Sequence, residues 1–127
     1  MEASWFRNNN MKVIFDTSFI VYLLEKPSTV FEQLIDKVGY PEIIAPESVY
    51  SELVRLSKRK KVVRKFKELK IDFVKGKKNK ADEDLIELSR ETGYPVFTLD
   101  LELAKKLAKE GLPCFTVADE RLVKCFE

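Results

Sequence analysis

Short apolar runs alternate with helix-periodic segments along this chain, and that alternation restricts its fold more than any other feature. The run MKVIF at 11–15 predicts a first strand, followed by a helical pattern over 18–24. After Pro27 a second helix is expected over about 29–38, stopping at Gly39. A second strand is expected at 42–45, and Pro46 then opens a helix from its favoured first-turn position. A basic helix is expected at about 60–69 and a strand at 71–74. A helix over 82–92 should end at Gly93, which suits a left-handed C-cap. A strand at 95–98, a helix at 101–110 closed by Gly111 and a last strand at 113–117 complete the pattern. Five short strands separated by helices predict an α/β domain with a mostly parallel sheet. Residues 1–10, with three asparagines in a row, read as an extension ahead of a single domain at 11–127.

Composition narrows the chemistry. With 45% hydrophobic and 35% charged residues the chain can build a core, which argues against disorder. No apolar run approaches the roughly 18 residues of a membrane span, and residues 1–10 lack the apolar stretch of a secretory signal, so no membrane partner and a cytoplasmic setting are expected. Histidine is absent, which removes Ser-His-Asp and Cys-His catalysis and every histidine metal site. Two cysteines, Cys114 and Cys125, are too few for a usual zinc site, and in a reducing compartment they are read as buried thiols rather than a pair. Chemistry must then run on carboxylates, hydroxyls or lysines.

The net charge of +2 hides a strong asymmetry. Residues 55–80 hold thirteen basic side chains against Glu68 and Asp72, a local charge of +11 that leaves −9 for the rest. A basic patch beside an acidic remainder suits a polyanion held next to a cation-binding site. A solvated Lys/Glu-rich face accounts for the same run equally well.

The informative acids stand where apolar residues belong. In the helix after Pro46, Val49, Leu53 and Leu56 form one stripe, and Glu52 lies within about 60° of each. A carboxylate there is costly unless paired, hydrated or bound to a metal. In the next acidic helix, Leu85, Leu88 and Ser89 mark the inner face. Asp82 falls within about 60° of Leu85, Asp84 sits on the edge and Glu83 points away. Asp82 is thus the best inward acid of that helix, with Asp84 in reserve, although Asp is also a preferred N-cap. Asp16 and Asp100 each leave a strand and enter a helix, which suits an N-cap as well as a ligand. Yet ligands of open α/β sheets bind outside the carboxyl ends of the strands, where the strand order reverses. Four acids gathered there without histidine would repel one another, and hard divalent cations with oxygen ligands relieve such repulsion.

Three segments together carry a resemblance: KVIFDTSFIVYLLE, APESVYSELVRLSK and ADEDLIELSRETGYPVFTLDLELAKKLAKEGLPCFTV. In order and spacing they resemble the PIN-domain ribonuclease family over about residues 11–117. Asp16 matches the family's acid after the first strand, with Thr17 and Ser18 behind it. Glu52 matches the glutamate of the helix after the second strand. Asp82 matches the aspartate eighteen residues ahead of a Thr-x-Asp, here Thr98-Leu99-Asp100. The resemblance implies a three-layer α/β/α sandwich with a five-stranded parallel sheet in the order 3-2-1-4-5. It implies a catalytic set of Asp16, Glu52, Asp82 and Asp100, with Asp16, Asp82 and Asp100 holding one or two Mg²⁺ or Mn²⁺ ions. Thr17, Ser18 and Thr98 would orient those ligands from behind. Leu99 replaces the usual polar neighbour, and Ser89 stands where alanine is usual.

The expected activity is metal-dependent hydrolysis of RNA phosphodiester bonds. Arg55, Lys58, Arg59, Lys60, Lys61, Arg64 and Lys65 are the expected RNA-binding residues, which implies salt-dependent binding. The acid-bearing runs are most similar to an archaeal branch resembling ribosomal RNA-processing nucleases. A VapC-type toxin ribonuclease and a non-catalytic RNA-binding assembly subunit are the alternatives. With them go a homodimer and an antitoxin or pre-ribosomal partner.

Overall fold

Val13, Ile14 and Phe15 are wholly buried in the first strand, β1 (Lys12–Phe15), as a central parallel strand covered on both faces requires. The structure, a computed structural model, describes residues 11–26 and 29–126. The expected extension at 1–10 and Pro27 lie outside the described residues.

After β1 come α1 (Thr17–Glu25), α2 (Thr29–Val38), β2 (Glu42–Pro46) and α3 (Glu47–Ser57). A 3₁₀ helix (Lys61–Glu68), β3 (Ile71–Val74), α4 (Ala81–Thr92) and β4 (Val96–Phe97) follow. The chain continues through α5 (Leu101–Lys109), β5 (Cys114–Ala118) and β6 (Arg121–Lys124). The sheet order is β3-β2-β1-β4-β5-β6, so the expected 3-2-1-4-5 order is present. All pairs among β1–β5 are parallel. Right-handed crossovers put α1, α2 and α3 on one face and α4 and α5 on the other. The core between these layers centres on Phe15, Phe19 and Phe97, whose ring centroids lie 4.8–5.7 Å apart.

Four expectations are corrected. The segment expected as an ordinary helix at 60–69 is a 3₁₀ helix. Its inward residues Val63 and Phe66 are three apart, and Leu69 continues that spacing, which matches three residues per turn rather than 3.6. Pro46 does not begin a helix; it ends β2 and precedes the first turn of α3.

The strand expected as the last, β5, is followed by a sixth, antiparallel strand. Asp119 and Glu120 join the two with φ of 52° and 59°. Positive φ at both central residues is what a tight primed hairpin turn needs, and here it is met without the glycine that normally advertises it. Gln33 on α2 clamps the hairpin: its amide nitrogen donates to the Glu120 carbonyl at 3.1 Å, and its amide oxygen accepts from the Leu122 N–H at 2.9 Å.

Cys114 and Cys125 are not separate thiols. They form a disulfide across the outer hairpin, with Cα atoms 5.4 Å apart. The unforeseen β6 explains this, because Phe115 pairs with Lys124 and so sets the two cysteines opposite each other.

Candidate active site at the carboxyl edge of the sheet

β1 and β4 are neighbours at the point where the strand order reverses. Phe15 pairs with Phe97, and the Asp16 N–H donates to the Phe97 carbonyl at 3.0 Å. That register sets Asp16 beside Thr98 at the carboxyl ends of the strands. Asp16 is 6% exposed and Thr98 fully buried.

Asp16 precedes α1 but makes no side-chain cap hydrogen bond. Its Oδ2 instead accepts from the Thr98 hydroxyl and from the Ser18 hydroxyl, the latter at 2.8 Å. Each hydroxyl has one proton to give, so with both directed at Asp16 their 3.2 Å separation is a contact between acceptors. Ser18 in turn accepts from the Leu99 N–H and Thr98 from the Asp100 N–H, both at 2.9 Å. The hydroxyls thus tie the end of β1 to the end of β4. Burial raises the Asp16 carboxyl above its usual range, the hydrogen bonds pull it back, and the negative charge of Glu52 adds to the rise.

Glu52 projects from α3 and is partly buried. Thr17 donates its hydroxyl to Glu52 Oε1, which links the start of α1 to α3. Among the described residues no lysine or arginine pairs with Glu52, so the ion-pair account of its inward position does not apply.

Asp82 is the second residue of α4, whose N-cap is Lys80, so its side chain is not the cap. It is 37% exposed and lies 3.8 Å from the Lys106 ammonium on α5. Burial raises its carboxyl, and the negative charge of Asp100 raises it further; Lys106 opposes them, while Glu52 and Glu83 add to the rise. Asp100 is exposed and does cap α5, its Oδ1 accepting from the N–H groups of Glu102 and Leu103.

Asp16, Glu52, Asp82 and Asp100, from four different elements, line one cleft of about 450 Å³ with Tyr22 and Leu99. Among the described residues no three acidic side chains are drawn together into a ready-made metal cage. The donor set nonetheless fits a hard divalent cation: it is all oxygen, and the two perturbed acids are raised in part by neighbouring negative charge that a cation would offset. A cation of this kind would take Asp16, Asp82 and Asp100 as ligands.

The expected RNA-binding residues divide. All seven are exposed on the stretch from α3 through the 3₁₀ helix. Lys60 pairs with Glu25 at 3.0 Å, and the Arg64 Nε donates to the Ser57 carbonyl at 3.2 Å. Arg55 and Arg59 line a recess that also contains Thr17 and Glu52.

Two contacts near the start of α4 were not foreseen. Lys106 reaches Asp82 because α5 packs on α4, a tertiary fact with no local signature. Asp84, expected at the edge of its helix, is only 3% exposed. It accepts from the Ser48 hydroxyl and the Lys78 N–H, both at 2.9 Å. The loop from Gly76 to Lys78 folds over it, a cover that helix periodicity does not report. A methyl group at Gly76 would overlap the Asp84 carboxylate.

A parallel sheet in this order, with acids at its reversal point, belongs to a known class. The chain belongs to the PIN-like domain family, whose sequence model matches residues 13–119. The solved structure of the PIN domain endonuclease Utp24 is similar at 24% identity and a TM-score of 0.74, covering 91% of each chain. At that identity the likeness carries the fold. No curated protein matches the chain.

Proposed function

We propose that the chain is a metal-dependent endoribonuclease that hydrolyses phosphodiester bonds in single-stranded or flexible RNA, with RNA maturation as its setting. The observation that carries the proposal is the cleft itself: four carboxylates that are far apart in sequence line it together at the sheet's reversal point. When bound, Mg²⁺ or Mn²⁺ supplies a water of lowered pKa and neutralises charge on the phosphoryl oxygens. Asp16, Asp82 and Asp100 hold the ion or ions, and Glu52 completes the acidic cluster as a base or through water. Ser18 and Thr98 hold the Asp16 carboxylate in one orientation, and Thr17 does the same for Glu52. No covalent nucleophile is required. The basic surface holds the phosphate backbone against the cleft. The endonuclease activity named for the Utp24 PIN domain is compatible with this reading.

The Lys106–Asp82 contact, which engages one of the candidate ligands, favours a second reading: an RNA-binding assembly subunit that cuts nothing. Cleavage of an end-labelled RNA by the wild type and by Asp100→Asn, with and without EDTA, separates the two. The proposal expects cutting only by the wild type with free divalent cation. Binding without metal-dependent cutting would select the assembly subunit.

A further inference from the structure

Arg55 sits in the last turn of α3, and Arg59 lies just past its end. Both are exposed, and neither makes an ion pair or side-chain hydrogen bond among the described residues. Arg55 is three positions from Glu52 on one helix, a spacing at which opposite charges pair readily, yet they are not paired. The carbonyl end of a helix attracts cations, which accounts for one arginine near Ser57. It does not account for two arginines lining a single recess of about 260 Å³ with Leu56, Thr17 and Glu52. Glu52 is shared by that recess and the acidic cleft, so the two are contiguous. Arg55 also lines a second, polar recess with Ser51 and Asn79, on which Glu52 borders again.

An unpaired guanidinium presents a rigid fork of donors that matches two oxygens of a phosphate. We infer that Arg55 and Arg59 form a discrete phosphate subsite, which seats the backbone phosphate next to the scissile one as the RNA strand leaves the acidic cleft past Glu52. This rests on the ribonuclease reading above and deepens it. The basic segment then does not act as a uniform charged field. Lys60 and Arg64, already engaged by Glu25 and the Ser57 carbonyl, contribute less than this pair.

The test is binding of a fluorophore-labelled single-stranded oligouridylate in EDTA, followed across a salt series, beside cleavage kinetics with Mn²⁺. Arg55→Ala and Arg59→Ala are each expected to weaken binding about 5-fold or more at 0.1 M salt. The double variant should reduce the salt slope by about 0.7, the value for one phosphate contact on a single strand, and each single variant by no more than that. KM should rise in both while kcat stays within about 3-fold. Lys61→Ala should have a smaller effect, and Lys124→Ala on β6 none. Equal effects from Arg55→Ala, Arg59→Ala and Lys61→Ala would replace the subsite with a diffuse field. A wild type that binds and cuts, with arginine variants that match it in affinity and slope, would overturn the subsite and leave the nuclease standing. A wild type that neither binds nor cuts would remove both.

Discussion

Asp16 is a carboxylate that the fold carries at a cost. Its pKa is raised from 3.8 chiefly by burial, so the folded state holds a proton that the unfolded chain has already lost. Stability therefore falls as pH climbs from about 3.8 through the raised value. Asp16→Asn keeps an oxygen to accept from Ser18 and Thr98 and is expected to melt above the wild type at pH 7 without divalent cation. The difference should vanish below about pH 4, where the carboxyl is protonated in both states; a variant that melts lower at pH 7 would contradict this. Thr98→Val removes the donor that orients Asp16 and should lower kcat by about 10–100-fold, the usual effect of losing an outer hydrogen-bond partner. Stopped-time cleavage assays measure it, and an unchanged rate would remove Thr98 from the site.

At the scale of elements, the start of α4 is held by a device separate from the cleft. Asp84 joins the β3–α4 loop, through the Lys78 N–H, to Ser48 on α3. Asp84→Ala leaves those two donors without their acceptor and should cost about 1–3 kcal/mol in chemical denaturation. Gly76→Ala should cost a similar amount, because the added methyl must displace the same carboxylate; a Gly76→Ala protein as stable as the wild type would show that the loop does not need that closeness. This device also marks where sequence stops being legible. Asp16, Glu52, Asp82 and Asp100 could be picked out because an acid on an apolar stripe or at a strand end is a local anomaly. Asp84 is buried by the β3–α4 loop folding back over it and by Ser48 from α3, and Lys106 meets Asp82 across two helices, so neither contact follows from helix periodicity. The parallel core was legible for the same reason as the acids, since buried strands such as 13–15 are continuous apolar runs. β6 was not, because Arg-Leu-Val-Lys is short and charged and its Asp-Glu turn lacks glycine.

The whole molecule is closed at one edge by the outer hairpin and its disulfide. Among the described residues no helix is long and apolar enough to cross a membrane. The Cys114–Cys125 bond closes a loop with a sequence separation of 11, for which chain entropy gives roughly 3 kcal/mol. Cys114→Ser with Cys125→Ser should lose about that much in urea unfolding, and metal binding should survive because the acids sit at the other end of the β1–β4 pair. Loss of both would show that the hairpin supports the cleft.

The proposed chemistry requires Asp16, Asp82 and Asp100, with Glu52 beside them, to act as one cation site. Calorimetric titration of Mn²⁺ into the wild type and into Asp16→Asn tests it most directly. Saturable heat is expected for the wild type and is lost in the variant. Equal heats for the two proteins would contradict it.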